Sequence, residues 1–169
     1  VGLDFTQDAF RFSMSDDPQA MMGGGVCWID YNNDGWLDLY AVNSYADADL
    51  PSWESHGGLP RSGLFRNDHG RFVDVTDEAG VVDTNGRGLG VVIADLNGDG
   101  LPDIFVANDM TANLLYRNLG GMRFEEVGEA SGVASNASGC YQAGMGIACG
   151  DLDGDARPDL VVRNFYGES

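Results

Sequence analysis

The sequence predicts an all-β protein of the β-propeller type, built from four-stranded antiparallel blades with an acidic loop between the first and second strand of each. Three observations predict it. An aspartate-rich nine-residue loop occurs three times, a Gly-x-Gly pair precedes each copy, and a block with the pattern of a β-hairpin occurs twice. Four short strands recurring every ~40 to 60 residues are the signature of a propeller blade. The 169 residues hold two full units and part of a third, so a partial propeller of about two and a half to three blades is expected.

Residues 1–22 are expected to supply strands completing a preceding blade, with Phe5, Phe10 and Phe12 as packing residues. Residues 23–81 form the first repeat, 82–133 the second and 134–169 a partial third. Strand A of each unit follows Gly23-x-Gly25, Gly88-x-Gly90 or Gly144-x-Gly146. Strand B follows the loop, at Leu37 to Val42, Ile104 to Ala107 and Leu160 to Val162, runs of strand length rich in β-branched and aromatic residues. Strands C and D come from the block running from Leu64-Phe-Arg-Asn to Val81, and again from Leu115-Tyr-Arg-Asn to Val133. Within it, Arg-Asn followed by Gly70 or Gly121 supplies residues that tolerate a tight turn. The alternation in Phe72-Val-Asp-Val75 fits a strand with one buried face.

The loops read Asp30-Tyr-Asn-Asn-Asp-Gly-Trp-Leu-Asp38, Asp95-Leu-Asn-Gly-Asp-Gly-Leu-Pro-Asp103 and Asp151-Leu-Asp-Gly-Asp-Ala-Arg-Pro-Asp159, with starts 65 and then 56 residues apart. Calcium takes six to eight oxygens, and a tight loop presents them at alternate positions. The expected ligands are Asp30, Asn32, Asp34 and Asp38 with the Trp36 carbonyl; Asp95, Asn97, Asp99 and Asp103 with the Leu101 carbonyl; and Asp151, Asp153, Asp155 and Asp159 with the Arg157 carbonyl. Three Ca²⁺ sites are therefore expected. Gly35 and Gly100 permit the sharp bend at the sixth position, where the third copy has Ala156, a substitution expected to strain or weaken that site. An EF-hand loop would end in a Glu at position 12, where these copies have Ala41, Val106 and Val162. Neither His nor Cys occupies a repeated position, which disfavours soft metals. A merely solvated acidic turn has no need of a ninth-position aspartate.

Composition agrees. Nine Lys plus Arg against 27 Asp plus Glu give a formal charge of −18, which disfavours nucleic acid and anionic membrane surfaces, and three bound Ca²⁺ would bring it to −12. No apolar run approaches the ~18 to 20 residues of a membrane helix, so membrane insertion is not expected. The chain starts at Val1 without an initiator Met or a signal-like region, and is expected to be a mature or trimmed product. Cys27, Cys140 and Cys149 follow no metal-binding spacing; they read as small buried side chains, with a Cys140–Cys149 disulfide as the alternative.

The Gly-x-Gly strand, the Asp-x-Asn-x-Asp-Gly-x-x-Asp loop and the Pro-Asp that opens the next strand together resemble the FG-GAP or VCBS-type repeats of integrin-α-like propellers. The Leu-Phe-Arg-Asn…Phe-x-Asp-Val-Thr…Ala-Gly-Val block narrows the resemblance toward bacterial relatives of the cartilage acidic protein family. It covers about residues 23 to 165. It implies a secreted, periplasmic or cell-surface protein that uses propellers for adhesion or ligand recognition, with calcium on the blade loops.

In such a blade the A–B and C–D connections share one face and the B–C and D–A connections the other. The B–C stretch spans 26 positions from Asp38 to Leu64 but 12 from Asp103 to Leu115, so length variation concentrates opposite the metal loops. Variable loops on a rigid scaffold mark a recognition face. Tyr45, Trp53, Glu54, His56 and Tyr141 are its candidate contacts for a protein or glycan ligand, although Tyr45 and Trp53 equally suit packing of the insertion against the blade. Asn136-Ala-Ser138 is a weak match to a glycosylation acceptor on the same face.

The reading that follows is a non-catalytic, calcium-stabilised binding module. An alternative is a structural subunit that assembles with further copies, or with the remainder of a larger propeller, into a ring or extracellular fibre. A calcium-dependent hydrolase or lyase fits least, because His56 and His69 have no Ser, Cys or acid at a recognisable spacing.

Overall fold

A computed structural model of the chain describes residues 3, 5, 24–84 and 86–165. They form three antiparallel sheets in chain order. The first is β1 (Val26–Ile29), β2 (Asp38–Ala41), β3 (Gly63–Asp68) and β4 (Arg71–Asp74). The second is β5 (Gly88–Ala94), β6 (Asp103–Asn108), β7 (Leu114–Asn118) and β8 (Phe124–Glu126). The third pairs β9 (Gly144–Gly150) with β10 (Asp159–Asn164). Each strand pairs with its chain neighbour, so both complete sheets are simple meanders. Their registers repeat: Leu39 faces Phe65 and Tyr40 faces Leu64, as Ile104 faces Tyr116 and Phe105 faces Leu115.

Alternation along each strand divides the apolar residues between two faces. Tyr40, Val42 and Leu64 join Ile104, Val106, Tyr116 and Phe124 in a core between the first and second sheets. Leu39, Ala41 and Phe65 point to the other side of the first sheet, where they meet Phe5 and Phe72. The Phe5 ring stands edge-on to Phe65 at 5.7 Å, as expected of a residue packing that outer face. Phe10 and Phe12 lie outside the described residues.

The Gly-x-Gly pairs have a packing role that their spacing alone does not reveal. A methyl group on Gly88 would come within 2.8 Å of the Val42 Cβ, and one on Gly144 within 3.0 Å of the Ala107 Cβ. Val42 and Ala107 are repeat-equivalent. Likewise Gly25 lies against Val91 and Gly90 against the equivalent Ile147. Consecutive sheets therefore meet through the same joint twice, and only a residue without Cβ lets the strands approach this closely.

Among the described residues three short α-helices, and a 3-10 turn at Asp47–Asp49, interrupt the predicted all-strand pattern. α1 (Leu50–Ser55) lies in the long connection after β2 and carries Pro51 in its first turn. α2 (Thr76–Ala79) and α3 (Gly128–Ser131) follow the last strand of each complete sheet. Both end on a left-handed glycine, Gly80 at φ 77° and Gly132 at φ 75°, which caps the turn and reverses the chain toward the next unit.

The cysteine expectation is corrected. All three are free thiols, Cys140 and Cys149 exposed and Cys27 partly so, rather than buried side chains or a disulfide. Cys149 sits at the exposed end of β9, and Cys140 in a loop too polar to cover it.

Candidate metal centres and the opposite face

Each aspartate loop curls around its own first residue. In the first, Asp30 accepts the N–H groups of Asp34 (3.1 Å) and Gly35 (3.0 Å), and Asn32 Oδ1 accepts that of Asp34 (3.2 Å). In the second, Asp95 accepts from Gly98, Asp99 and Gly100 at 2.8 to 3.1 Å, and Asn97 accepts from Asp99. In the third, Asp151 accepts from Gly154 (2.7 Å) and Ala156 (3.0 Å), and Asp153 from Asp155. The seventh residues, Trp36, Leu101 and Arg157, each donate their N–H to the fifth-position aspartate, Asp34, Asp99 or Asp155. The hydrogen bonds thus gather the side chains of the first, third and fifth positions in all three copies, and in the third loop carboxylate oxygens of Asp151, Asp153 and Asp159 lie within 4.8 Å of one another.

Two left-handed residues shape every loop. The sixth position is Gly35 (φ 86°), Gly100 (φ 86°) or Ala156 (φ 68°), and the fourth is Asn33 (φ 59°), Gly98 (φ 79°) or Gly154 (φ 81°). Asn is the side chain that best tolerates this region, which explains Asn33. Ala156 does not share that tolerance. Relief of about 1 to 2 kcal/mol of left-handed strain, offset by about 0.5 to 1 kcal/mol of glycine chain entropy, makes Ala156→Gly stabilising by about 0.5 to 1 kcal/mol. A lower melting temperature for that variant would contradict this account.

The ninth-position aspartates are unlike the others. Asp38 and Asp103 are 0% and 1% exposed, whereas Asp159 is partly exposed. Asp103 accepts Asn118 N–H (2.8 Å) on one oxygen and Leu96 N–H (3.0 Å) on the other; Asp38 does the same with Asn67 (2.8 Å) and Tyr31 (3.2 Å). Burial pushes both carboxyls above the ordinary range, against those N–H groups, and the loop's other aspartates push the same way. Asp95, partly exposed and accepting the Gly100 N–H, is lowered instead.

The hairpin asparagines tie the loops to the strands, a role that the sequence reading assigned only to turn formation. Asn67 Nδ2 donates to the Leu37 carbonyl (2.9 Å), and Asn118 Nδ2 to that of Pro102 (3.1 Å), each at the eighth loop position. Their Oδ1 atoms accept Gly70 or Gly120 N–H in the hairpin turn. Asn118 Nδ2 also reaches the Tyr31 carbonyl (3.3 Å), so backbone and amide groups link Asp38 through Tyr31 and Asn118 to Asp103. The recurrence of Arg-Asn toward the end of the same strand in both complete units was the available signal, although it stands 29 residues after Asp38 and 15 after Asp103. His69, at φ 56° in the first hairpin turn, lies 5.2 Å from the Trp36 ring, which places that turn beside the first loop.

On the opposite face, Tyr45 and Trp53 are each 4% exposed and pack the insertion, which corrects their expectation as contacts. The Arg87 guanidinium lies 4.7 Å from the Tyr45 ring and pairs with Asp47, joining the insertion to the second unit. Glu54, His56 and Tyr141 are exposed. His56 Nδ1 lies 2.7 Å from the Ser52 carbonyl at the end of α1, and the Tyr141 hydroxyl donates to Glu129 (3.3 Å). Asn136 Oδ1 accepts the N–H groups of Ser138 and Cys140, both at 2.9 Å.

The FG-GAP-like repeat pattern matches residues 30–106 and 95–162. Each match opens on the first aspartate of a loop. The chain belongs to the FG-GAP-like repeat family. It is also 30% identical over 151 residues to cartilage acidic protein 1 of Xenopus tropicalis, an alignment covering 86% of this chain and 22% of that protein. This FG-GAP chain thus spans about a fifth of the length of the curated relative it matches. Among its described residues no helix is long and apolar enough to cross a membrane.

Proposed function

We propose that the chain is an extracellular calcium-binding β-propeller repeat module for adhesion or for ligand or protein recognition, its A–B loops fixed by Ca²⁺. The observation that carries the reading is the donor set of the loops. Oxygens bound to one calcium at about 2.3 to 2.6 Å lie at most about 5 Å apart. Carboxylate oxygens of Asp151, Asp153 and Asp159 all lie within 4.8 Å of one another. The first two loops repeat the pattern with Asn32 and Asn97 in place of the third-position Asp153. Every side-chain donor is a hard oxygen, as calcium requires, and a cation offsets carboxylate repulsion that the loops otherwise bear. Membership of the FG-GAP family supports the extracellular and recognition parts of the reading.

Elemental analysis of protein dialysed against several millimolar calcium, with the calcium of the dialysate subtracted, should find close to three calcium ions per chain, with isothermal titration of the stripped protein returning the same number. Absence of both bound calcium and titration heat would overturn the reading.

A second reading, a structural subunit of a ring or fibre, is favoured by one feature. The outer edge of β10 has no strand partner among the described residues, and unpaired edges recruit strands from other chains. Light scattering should then give a mass that rises with concentration; a monomer at all concentrations excludes it.

A further inference from the structure

Two of the three acidic loops carry an asparagine at the third position, and only one of these precedes a glycine: Asn32 is followed by Asn33, Asn97 by Gly98. The two side chains are held alike. Oδ1 of each accepts the N–H two residues on, that of Asp34 for Asn32 (3.2 Å) and of Asp99 for Asn97 (2.8 Å), and Nδ2 of each donates to the same aspartate's carboxylate at 2.9 Å. An asparagine bonded in this way closes an Asx turn, which folds its side-chain carbonyl back beside the peptide nitrogen in between. Asn97 Cγ, Cβ, Cα and C with that nitrogen are the five atoms of a succinimide ring. What differs between the loops is the nitrogen. In the second loop it belongs to Gly98, exposed at φ 79° with nothing within 4 Å of the place a Cβ would take; in the first it carries the Asn33 side chain at φ 59°. The Gly98 N–H also donates to Asp95 Oδ1 at 2.8 Å, so a proton acceptor is in place.

We propose that Asn97 is a self-modification site: the second loop converts its third-position amide to a carboxylate through a succinimide closed by Gly98, and the first loop does not. The Gly98 nitrogen bonds to Asn97 Cγ and gives its proton to Asp95; the Cγ–Nδ2 bond breaks, and Nδ2 takes up that proton and leaves as ammonia. Water then opens the ring. Its addition at Cγ yields aspartate in the ordinary main chain, and its addition at the main-chain carbonyl yields isoaspartate, in which the chain runs through Cβ and Cγ. A nucleophile held beside its target reacts as an intramolecular partner. Glycine further lets the backbone turn into the ring geometry, which a side chain on the attacking residue obstructs.

The third loop already has the sequence that conversion to aspartate gives the second, Asp151-Leu-Asp-Gly-Asp155. There Asp153 accepts the Asp155 N–H (3.1 Å) as Asn97 accepts that of Asp99, and Asp151 accepts the Gly154 N–H (2.7 Å) as Asp95 accepts that of Gly98. The loop therefore keeps its shape with an added carboxylate. Ligand charge tunes calcium affinity, so the aspartate form binds calcium more tightly, whereas the isoaspartate form, with an extra methylene in the main chain of the loop, loses it. That consequence rests on the calcium reading, and the two fail separately, since conversion is read by mass without calcium.

The test is incubation of the full chain in EDTA at physiological temperature and pH, its fold verified by circular dichroism, followed by peptide mass mapping and enzymatic methylation of isoaspartate. The mass gain of amide-to-acid conversion should accumulate at Asn97 about tenfold faster than at Asn32, or more. Asn85, also before a glycine, lies outside the described residues and is followed on a separate peptide. Gly98→Asn copies the first loop and keeps a residue that tolerates left-handed φ, so it should slow conversion to the Asn32 rate. Asn33→Gly should bring Asn32 up to about the Asn97 rate. If Gly98→Asn unfolds the chain, the reciprocal variant decides alone. Equal rates at Asn32 and Asn97, or rates that the folded variants leave unchanged, would overturn the proposal.

Discussion

Chelation of calcium should lower the melting temperature of this protein by about 10 °C. A ligand that binds only the folded state stabilises it by RT ln(1 + [L]/Kd). Extracellular calcium modules bind with Kd of about 10⁻⁴ to 10⁻³ M, so at about 1 mM calcium a site at the tight end contributes about 1.4 kcal/mol and three contribute about 4. In a domain of this size 1 kcal/mol corresponds to about 2 to 4 °C. Thermal unfolding followed by circular dichroism, with excess EDTA and then with calcium restored, measures the difference directly. Magnesium, which demands tighter octahedral geometry, should restore little of it. An unmoved curve would leave the loops as surface turns.

Asp103→Ala should cost about 2 to 5 kcal/mol, and should do so even in EDTA. Its carboxylate is the sole side chain satisfying the N–H groups of Leu96 and Asn118, and its own site is 1% exposed. Each buried N–H left unpaired costs about 1 to 3 kcal/mol. Asp95→Ala provides the contrast. Asp95 is partly exposed, so water can replace it as acceptor for the loop N–H groups, and its loss should be felt chiefly through calcium. Urea unfolding of both variants, with and without calcium, separates the two roles. Equal sensitivity of both to EDTA would contradict the expected division between a buried strut and a residue that acts through calcium.

That division was only half legible in the sequence. Repetition located the loops, strands and hairpins, because side-chain period and turn chemistry are local. It could not tell that Asp38 is buried and Asp30 is not, because nothing in a nine-residue pattern tells which carboxylate faces inward; Asp38 takes one N–H from Tyr31 in its own loop but the other from Asn67, 29 residues away. The helices α2 and α3 were missed for a related reason. Thr76-Asp-Glu-Ala79 is too short to display helical periodicity, and Gly80 is the one mark of its end. Tyr45 and Trp53 sit in an insertion with no second copy to compare, so burial there had to wait for the fold.

The joint made by Gly88 on Val42 and Gly144 on Ala107 has one more consequence. A fitting that is the same at every junction makes the units interchangeable: a duplicated or recombined copy arrives already carrying the socket for its neighbour. Lineages can lengthen or shorten such an array by whole periods, while the loops on its variable face diverge freely, since neither change asks anything new of the seam.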